Sequence, residues 1–92
     1  MHIRTLLATA AASALLASTA LGATTTPAQQ CAALEKQFDQ ELVTHGAAAK
    51  VTQARAMRAD GEKLCRSGKP KTGVKKLNDA LDDLGVKPQS FP

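Results

Sequence analysis

The chain has 92 residues, with 12 Lys and Arg against 8 Asp and Glu and a net charge of +4. Its only aromatic residues are two Phe, and it contains no Trp or Tyr. This length and composition limit the chain to one small domain with a modest core. They leave little bulk to enclose a substrate pocket, and we therefore expect a binding protein rather than an enzyme.

Residues 1–23 are predicted to be a signal peptide. A basic start precedes the uncharged stretch Thr5–Leu21, which is mostly Ala and Leu, and small residues stand at Ser18 and Ala20. This order is typical of an export signal, with cleavage after Ala20 or after Ala23. A transmembrane anchor is the alternative, but the richness in Ala, Thr and Ser favours a cleaved signal. The chain is therefore expected in the periplasm or outside the cell.

The first predicted helix spans residues 27–45 and follows a flexible leader at residues 24–26. Thr26 is a good N-cap, Pro27 suits the first helical position, and Gln29 completes the pattern of a capping box. Apolar residues then recur at spacings of three and four, which is typical of one helix face. This face consists of Cys31, Leu34, Phe38 and Leu42.

The second predicted helix spans residues 47–67, after a helix stop at Gly46. Gly68 and Pro70 end it, because glycine and proline both interrupt helices. Its apolar face is thinner than that of the first helix and consists of Val51, Ala54, Met57, Gly61, Leu64 and Cys65.

The third predicted helix spans residues 70–84, with an apolar face of Val74, Leu77, Leu81 and Leu84. Gly85 is expected to end it in the left-handed conformation, and Pro88 prevents the helix from resuming. Residues 86–92 are predicted to be a loose tail. The fold class is therefore all-α, a small bundle of three short helices within a helical domain at residues 27–85.

Cys31 and Cys65 are predicted to form a disulfide, because exported proteins meet an oxidising compartment. If the first two helices form an antiparallel hairpin that turns near Gly46, these cysteines lie about 20 Å and about 25 Å from the turn, at ~1.5 Å per residue. The two distances are close enough for a bridge that staples the open end of the hairpin.

The segment GKPKTGVKK, Gly68–Lys76, has the glycine spacing of a phosphate-binding loop. Such a loop needs a strand before it and a lysine after the second glycine. Here a helix precedes the segment, and Gly73 is followed by Val74. We therefore interpret the segment as a turn between helices and expect no nucleotide or other cofactor.

Small residues stand within the second and third predicted helices, at Gly61 and Gly73. Larger or turn-forming residues accompany them, namely Met57, Leu64, Gly68, Leu77, Ala80 and Leu81. In this pattern residues 57–85 resemble a single tetratricopeptide-type helix pair, and the whole chain is similar to small exported bacterial helical proteins of unknown role. The resemblance implies close packing of the two helices. Gly73 replaces the usual Ala, Gly85 replaces the closing Pro, and one pair cannot form the groove that arrays of repeats build.

Other chemical groups are sparse. After the predicted signal peptide the only histidine is His45, one turn from Glu41, and a single such pair falls short of a zinc ligand set. A carboxylate cluster on the third helix is expected to be a solvated face; it consists of Asp79, Asp82 and Asp83. No metal site and no catalytic residue are predicted.

Residues 63–76 carry six basic side chains and no acidic one: Lys63, Arg66, Lys69, Lys71, Lys75 and Lys76. Lysines at the start of the third helix oppose the helix dipole, so these charges favour an external anion. The alternative is a solvated surface that pairs with acids of the first helix, namely Glu35, Asp39 or Glu41.

The sequence therefore predicts a small exported helical interaction protein with an unidentified protein partner. The second hypothesis is a cationic module that binds phosphate-bearing surfaces, such as an anionic membrane or lipid, through its basic helix-turn-helix segment. Nucleic acid is not expected as a partner, because no aromatic residues alternate with the basic ones to stack on bases.

Overall fold

The computed structural model describes residues 24–92, and the predicted signal peptide lies outside this range. The helices are α1 (Pro27–His45), α2 (Val51–Arg66) and α3 (Pro70–Asp83), with no strand among residues 24–92. A disulfide joins Cys31 to Cys65. The prediction of an all-α bundle with one disulfide is confirmed.

Helix α1 begins with the predicted capping box. The Thr26 Oγ1 accepts a hydrogen bond from the Gln29 N–H at 3.2 Å, and the Thr26 N–H donates to the Gln29 Oε1 at 2.9 Å. Pro27 occupies the first turn, where a missing N–H costs nothing. The sequence therefore placed this helix start at the right residue.

Helix α2 begins at Val51, four residues later than predicted. The chain between α1 and α2 forms two successive turns instead, in which the Ala48 N–H donates to the His45 oxygen and the Val51 N–H donates to the Ala48 oxygen, both at 3.0 Å. Three alanines favour a helix locally, but the chain must reverse direction here to bring α2 back along α1. Tertiary packing therefore overrides local propensity.

Helices α2 and α3 both end in the same way, with a glycine in the left-handed region. Gly68 has φ +85° and Gly85 has φ +83°. The Lys69 N–H returns to the Leu64 oxygen at 2.9 Å, and the Val86 N–H returns to the Leu81 oxygen at 3.0 Å. These are the bonds of a Schellman motif, which satisfies carbonyls that a helix end leaves unpaired. Within the segment at residues 68–76, the turn between the helices is limited to Gly68 and Lys69, and residues 70–76 form the first half of α3.

Helix α3 lies against both other helices and dominates the core. Of the eight hydrophobic residues that are buried within residues 24–92, α3 and its C-cap supply half. The eight are Cys31, Leu34, Phe38, Ala54, Leu77, Ala80, Leu81 and Leu84. Partly buried residues around them include Leu42, Val51, Met57, Cys65 and Val74. The predicted apolar faces of all three helices therefore meet in one core.

Two glycines let α2 and α3 approach closely. A Cβ placed on Gly61 would lie 2.7 Å from the Leu77 Cγ, and one on Gly73 would lie 2.9 Å from the Gly61 oxygen. Both distances are too short for real carbon atoms. Neither residue has a positive φ, so the backbone conformation does not require glycine at these positions. The close contact between the two helices favours it instead.

The C-terminal residues 86–92 differ from the loose tail that the sequence predicts. They lie along α1, where the side chain of Gln37 hydrogen-bonds to the tail backbone at Lys87 and Gln89. Val86 and Phe91 pack against the core. The sequence gives no sign of this arrangement, because these contacts join positions about fifty residues apart.

Candidate functional site

Four of the six basic residues lie at the end of the bundle where the last turn of α2 leads into the start of α3, and Lys75 and Lys76 follow near the middle of α3. We call this surface the basic end; it consists of Lys63, Arg66, Lys69, Lys71, Lys75 and Lys76. The start of α1 lies at the same end, since Pro27 shares a groove with Lys69 and Lys71. The first charged residue of α1 is Glu35, so the start of this helix adds no acid to the surface.

The lysines and the arginine of the basic end differ in their partners. Arg66 donates to the Glu62 Oε2 at 2.7 Å, so its charge is partly compensated. The five lysines have no carboxylate within ion-pair distance among residues 24–92. All are exposed except Lys76, which is half-buried.

The acids of α1 that the sequence offered as partners do not reach these lysines. Asp39 pairs with Arg58 at 2.9 Å, and Glu41 lies 3.4 Å from the His45 Nδ1. Glu35 forms no ion pair in the part of the chain that the structure describes. The structure therefore does not show the alternative in which acidic residues of α1 pair with the lysines of the basic end.

An open groove of about 340 Å³ lies at the basic end, and its walls come from the α2–α3 turn and the start of α1. It is lined by Pro27, Gly68, Lys69, Pro70, Lys71 and Thr72. Helix α3 has no side-chain cap, and its first backbone bond runs from the Gly73 N–H to the Lys69 oxygen at 2.9 Å. The N–H groups of Lys71 and Thr72 precede that bond and find no acceptor within residues 24–92.

A second open cleft, of about 330 Å³, lies beside the groove on the outer face of α2. It is lined by Ala59, Glu62, Lys63, Arg66 and Ser67. Because Glu62 sits among its basic residues, this cleft offers an anion a weaker field than the groove does.

Sequence reasoning missed the strongest polar contact between helices, which is centred on Arg58. Its Nε and Nη2 donate to the two Asp39 carboxylate oxygens at 3.0 and 2.9 Å, and its Nη1 donates to the Glu62 Oε1 at 3.1 Å. The hydrogen bond with Asp39 raises the pKa of the Arg58 guanidinium above its ordinary value. The regular spacing of Arg58, Glu62 and Arg66 on α2 was the signal that could have found half of this network.

The other polar side chains that the sequence singled out, His45 and the three aspartates of α3, do not form a common site. The His45 Nδ1 lies 3.0 Å from the Glu41 backbone oxygen, so the histidine closes the end of its own helix. Asp79 and Asp82 are exposed and Asp83 is half-buried. In the region from residue 24 onward, no group of three or more His, Cys, Asp or Glu residues is arranged to hold a metal ion. None of the helices there is long and apolar enough to cross a bilayer.

No protein-family model, curated protein or solved structure matches the chain. The resemblance of residues 57–85 to a tetratricopeptide-type helix pair stays a prediction.

Proposed function

We propose that the chain is a small exported interaction protein that meets an acidic protein partner through its basic end. The observation that carries this proposal is that the five lysines of the basic end have no carboxylate partner in the part of the chain that the structure describes. Arg58 and Arg66 are both paired with carboxylates, whereas the five lysines at the basic end are not. Unpaired like charges at one end of a molecule raise the local potential and attract an oppositely charged surface.

The charge order along α3 also supports an external role. Lysines occupy its start and aspartates its end, and the helix has no acidic residue in its first turn and no basic residue in its last. Both charge placements oppose the helix dipole, and each such charge lowers the stability of the helix by about 0.3–1 kcal/mol at an exposed site. Charges placed against the local preference are consistent with a function that requires them.

The test compares the partners that the natural chain and two variants retain from an envelope fraction. The first variant carries Lys69→Gln and Lys71→Gln, which remove two charges from the basic end. The matched control carries Lys36→Gln and Lys50→Gln, two exposed lysines elsewhere on the molecule. We expect the natural chain and the control to retain the same protein, with a yield that falls as salt is raised, and the first variant to lose it. Equal retention by all three would contradict the proposal.

The second candidate function is binding to phosphate-bearing surfaces, such as an anionic membrane. The unpaired N–H groups of Lys71 and Thr72 favour it, because both residues line the groove together with Lys69, and free N–H groups at a helix start suit phosphate oxygens. Vesicles of phosphatidylglycerol mixed with phosphatidylcholine, and vesicles of phosphatidylcholine alone, distinguish the two functions. Salt-sensitive binding to the anionic vesicles only, lost in the Lys69 and Lys71 variant, would favour the membrane over a protein partner.

A further inference from the structure

The Cys31–Cys65 disulfide lies at the same end of the bundle as the groove of the basic end. Cys31 follows Pro27 by one helical turn, and Cys65 precedes Gly68 by three residues. Pro27 and Gly68 both line the groove, one from each of the two elements that form its walls. The covalent link therefore joins these elements, which are the start of α1 and the α2–α3 turn.

The start of α3 rests on the two sulfur atoms of this link. The Cys31 Sγ lies 3.5 Å from the Pro70 oxygen, and a Cβ placed on Gly73 would collide with the Cys65 Sγ. Lys71 and Thr72, whose N–H groups are unpaired, stand between these two contact points in the sequence. The disulfide therefore fixes the position of the first turn of α3 relative to α1.

Other contacts at this end of the bundle are few. Cys31 is the only buried residue in the ranges 24–33 and 62–72, which come together here. Between these two ranges there is no ion pair, and the only polar contact is the one between the Cys31 sulfur and the Pro70 oxygen. At the basic end the disulfide thus takes the place that buried side chains have elsewhere.

The rest of the bundle has contacts that do not involve the disulfide. Its largest fully buried side chains are those of Leu34, Phe38, Leu77 and Leu81. The two-point contact of Arg58 with Asp39 joins α1 to α2 further along. Regions with few buried contacts open without unfolding of the whole domain. Loss of the covalent link should therefore open the basic end before the core.

We propose that the disulfide positions the groove of the basic end and makes this groove sensitive to reduction. A dithiol converts the bond into two thiols, on Cys31 and Cys65, and is itself oxidised to a disulfide. The start of α1 and the start of α3 then separate, while the core of the bundle stays folded. The consequence for binding rests on the proposed function of the basic end, whereas the opening itself does not.

Hydrogen exchange with and without dithiothreitol tests the opening. The ends of α2 and α3 provide a matched pair of amides in the same type of motif: the Lys69 N–H donates to the Leu64 oxygen at 2.9 Å, and the Val86 N–H donates to the Leu81 oxygen at 3.0 Å. We expect the reductant to accelerate exchange at Lys69 at least about tenfold more than at Val86, because only the first bond spans Cys65. Equal acceleration, or none at Lys69, would overturn the proposal.

A variant in which Ala replaces both cysteines separates loss of the link from other effects of the reductant. Without reductant it should show the same difference between the Lys69 and Val86 amides as the reduced natural chain. Dithiothreitol should change neither of its exchange rates. A variant whose Lys69 amide is as well protected as in the oxidised natural chain would show that the link does not position this turn.

The same variant tests the consequence for binding, without reductant, on the protein that the natural chain retains from an envelope fraction. We expect its affinity to be at least about tenfold weaker, because a groove that is not preorganised must be ordered on binding. Equal affinity would overturn the proposal. If the natural chain retained no protein, the proposed function alone would be contradicted, because hydrogen exchange decides the opening of the basic end without a partner.

Discussion

Three glycines at helix ends show how one residue type takes different backbone conformations. Gly68 and Gly85 have φ values of +85° and +83°, whereas Gly46 has φ −65° and stays in the right-handed helical region. No atom lies within 4 Å of a Cβ placed on Gly68. A side chain at Gly68 would therefore destabilise the fold only through the strained backbone conformation, because a Cβ there has no neighbouring atom to clash with.

We expect Gly68→Val to lower the free energy of unfolding by about 1–2 kcal/mol, because a β-branched residue resists the left-handed conformation. Gly46→Ala is the matched control and should cost clearly less, since alanine accepts right-handed geometry and reduces the entropy of the unfolded chain, while its Cβ would lie 3.1 Å from the Leu42 backbone oxygen. Urea denaturation of the two variants measures both effects. An equal loss of unfolding free energy in the two variants would show that the sign of φ does not determine the effect of the substitution.

At the scale of helices, the contact between α2 and α3 depends on the absence of side chains at Gly61 and Gly73. A Cβ on Gly73 would collide with the Cys65 Sγ and lie 3.1 Å from the Cys65 nitrogen. A Cβ on Gly61 would instead meet mainly the side chain of Leu77. A side chain can move aside, whereas backbone and a disulfide sulfur cannot move without shifting a helix.

We therefore expect Gly73→Ala to destabilise the fold by about 1–3 kcal/mol, despite the higher helix propensity of alanine. Gly61→Ala should also destabilise the fold, but by less, because the Leu77 side chain can shift by a small amount although it is completely buried. Thermal and urea unfolding of both variants would measure the difference. A stabilised Gly73→Ala variant would mean that propensity outweighs the close approach of the two helices.

Arg58 joins α1 to α2 from a position that is largely shielded from solvent, with a side chain 19% exposed. Its replacement by Met removes the two-point contact with Asp39 while keeping most of the apolar stem. We expect Arg58→Met to cost about 1 kcal/mol, within the range for charged hydrogen bonds discounted for the exposed Asp39. Arg55→Met, an exposed position that forms no ion pair among residues 24–92, should change stability by less than about 0.5 kcal/mol. Chemical denaturation of the pair tests the contact.

The dipole of α3 leads to a prediction about its basic start. Lys71 lies in the first turn, where positive charge is unfavourable. We expect Lys71→Gln to raise the free energy of unfolding by up to about 0.5 kcal/mol at low salt and less at high salt. Lys36→Gln, in the middle of α1, should have no such salt-dependent effect. A stability loss in Lys71→Gln would show that this lysine has a structural role.

Helix ends can be predicted from the sequence where neighbouring residues determine them, and poorly where they depend on contacts between distant parts of the chain. The capping box at Thr26 and the glycine at position 85 act within a few residues, so both helix ends could be placed. The late start at Val51 depends on how the chain turns between packed helices. The pairing of Gln37 with the tail and of Arg58 with Asp39 depends on contacts distant in sequence, which carry no local signal. For the candidate site, the residues of the basic end could be identified from the sequence, but which of them lack a carboxylate partner could not.

At the scale of the whole molecule, stability rests on a small core and one covalent link. Among residues 24–92, the largest fully buried side chains are Leu34, Phe38, Leu77 and Leu81. Cys31 in the second turn of α1 is joined to Cys65 in the last turn of α2, across 34 positions of sequence. Closing a loop of this length in the unfolded chain contributes about 3–4 kcal/mol by the chain-entropy estimate. That is a large share of what a domain of this size has in total.

We expect the exported protein to have a mass two hydrogens below that of the reduced chain, with its N-terminus after Ala20 or Ala23. Replacement of both cysteines by Ala should lower Tm by about 10 °C or more, because the unfolded chain regains the entropy that the link removes. A reductant should lower the Tm of the natural chain by a similar amount and leave that of the double variant unchanged. Two free thiols in the exported protein, or a Tm that does not respond to either treatment, would mean that three short helices hold together without a covalent link. The stability would then have to come from the packing of α3 between its two neighbours.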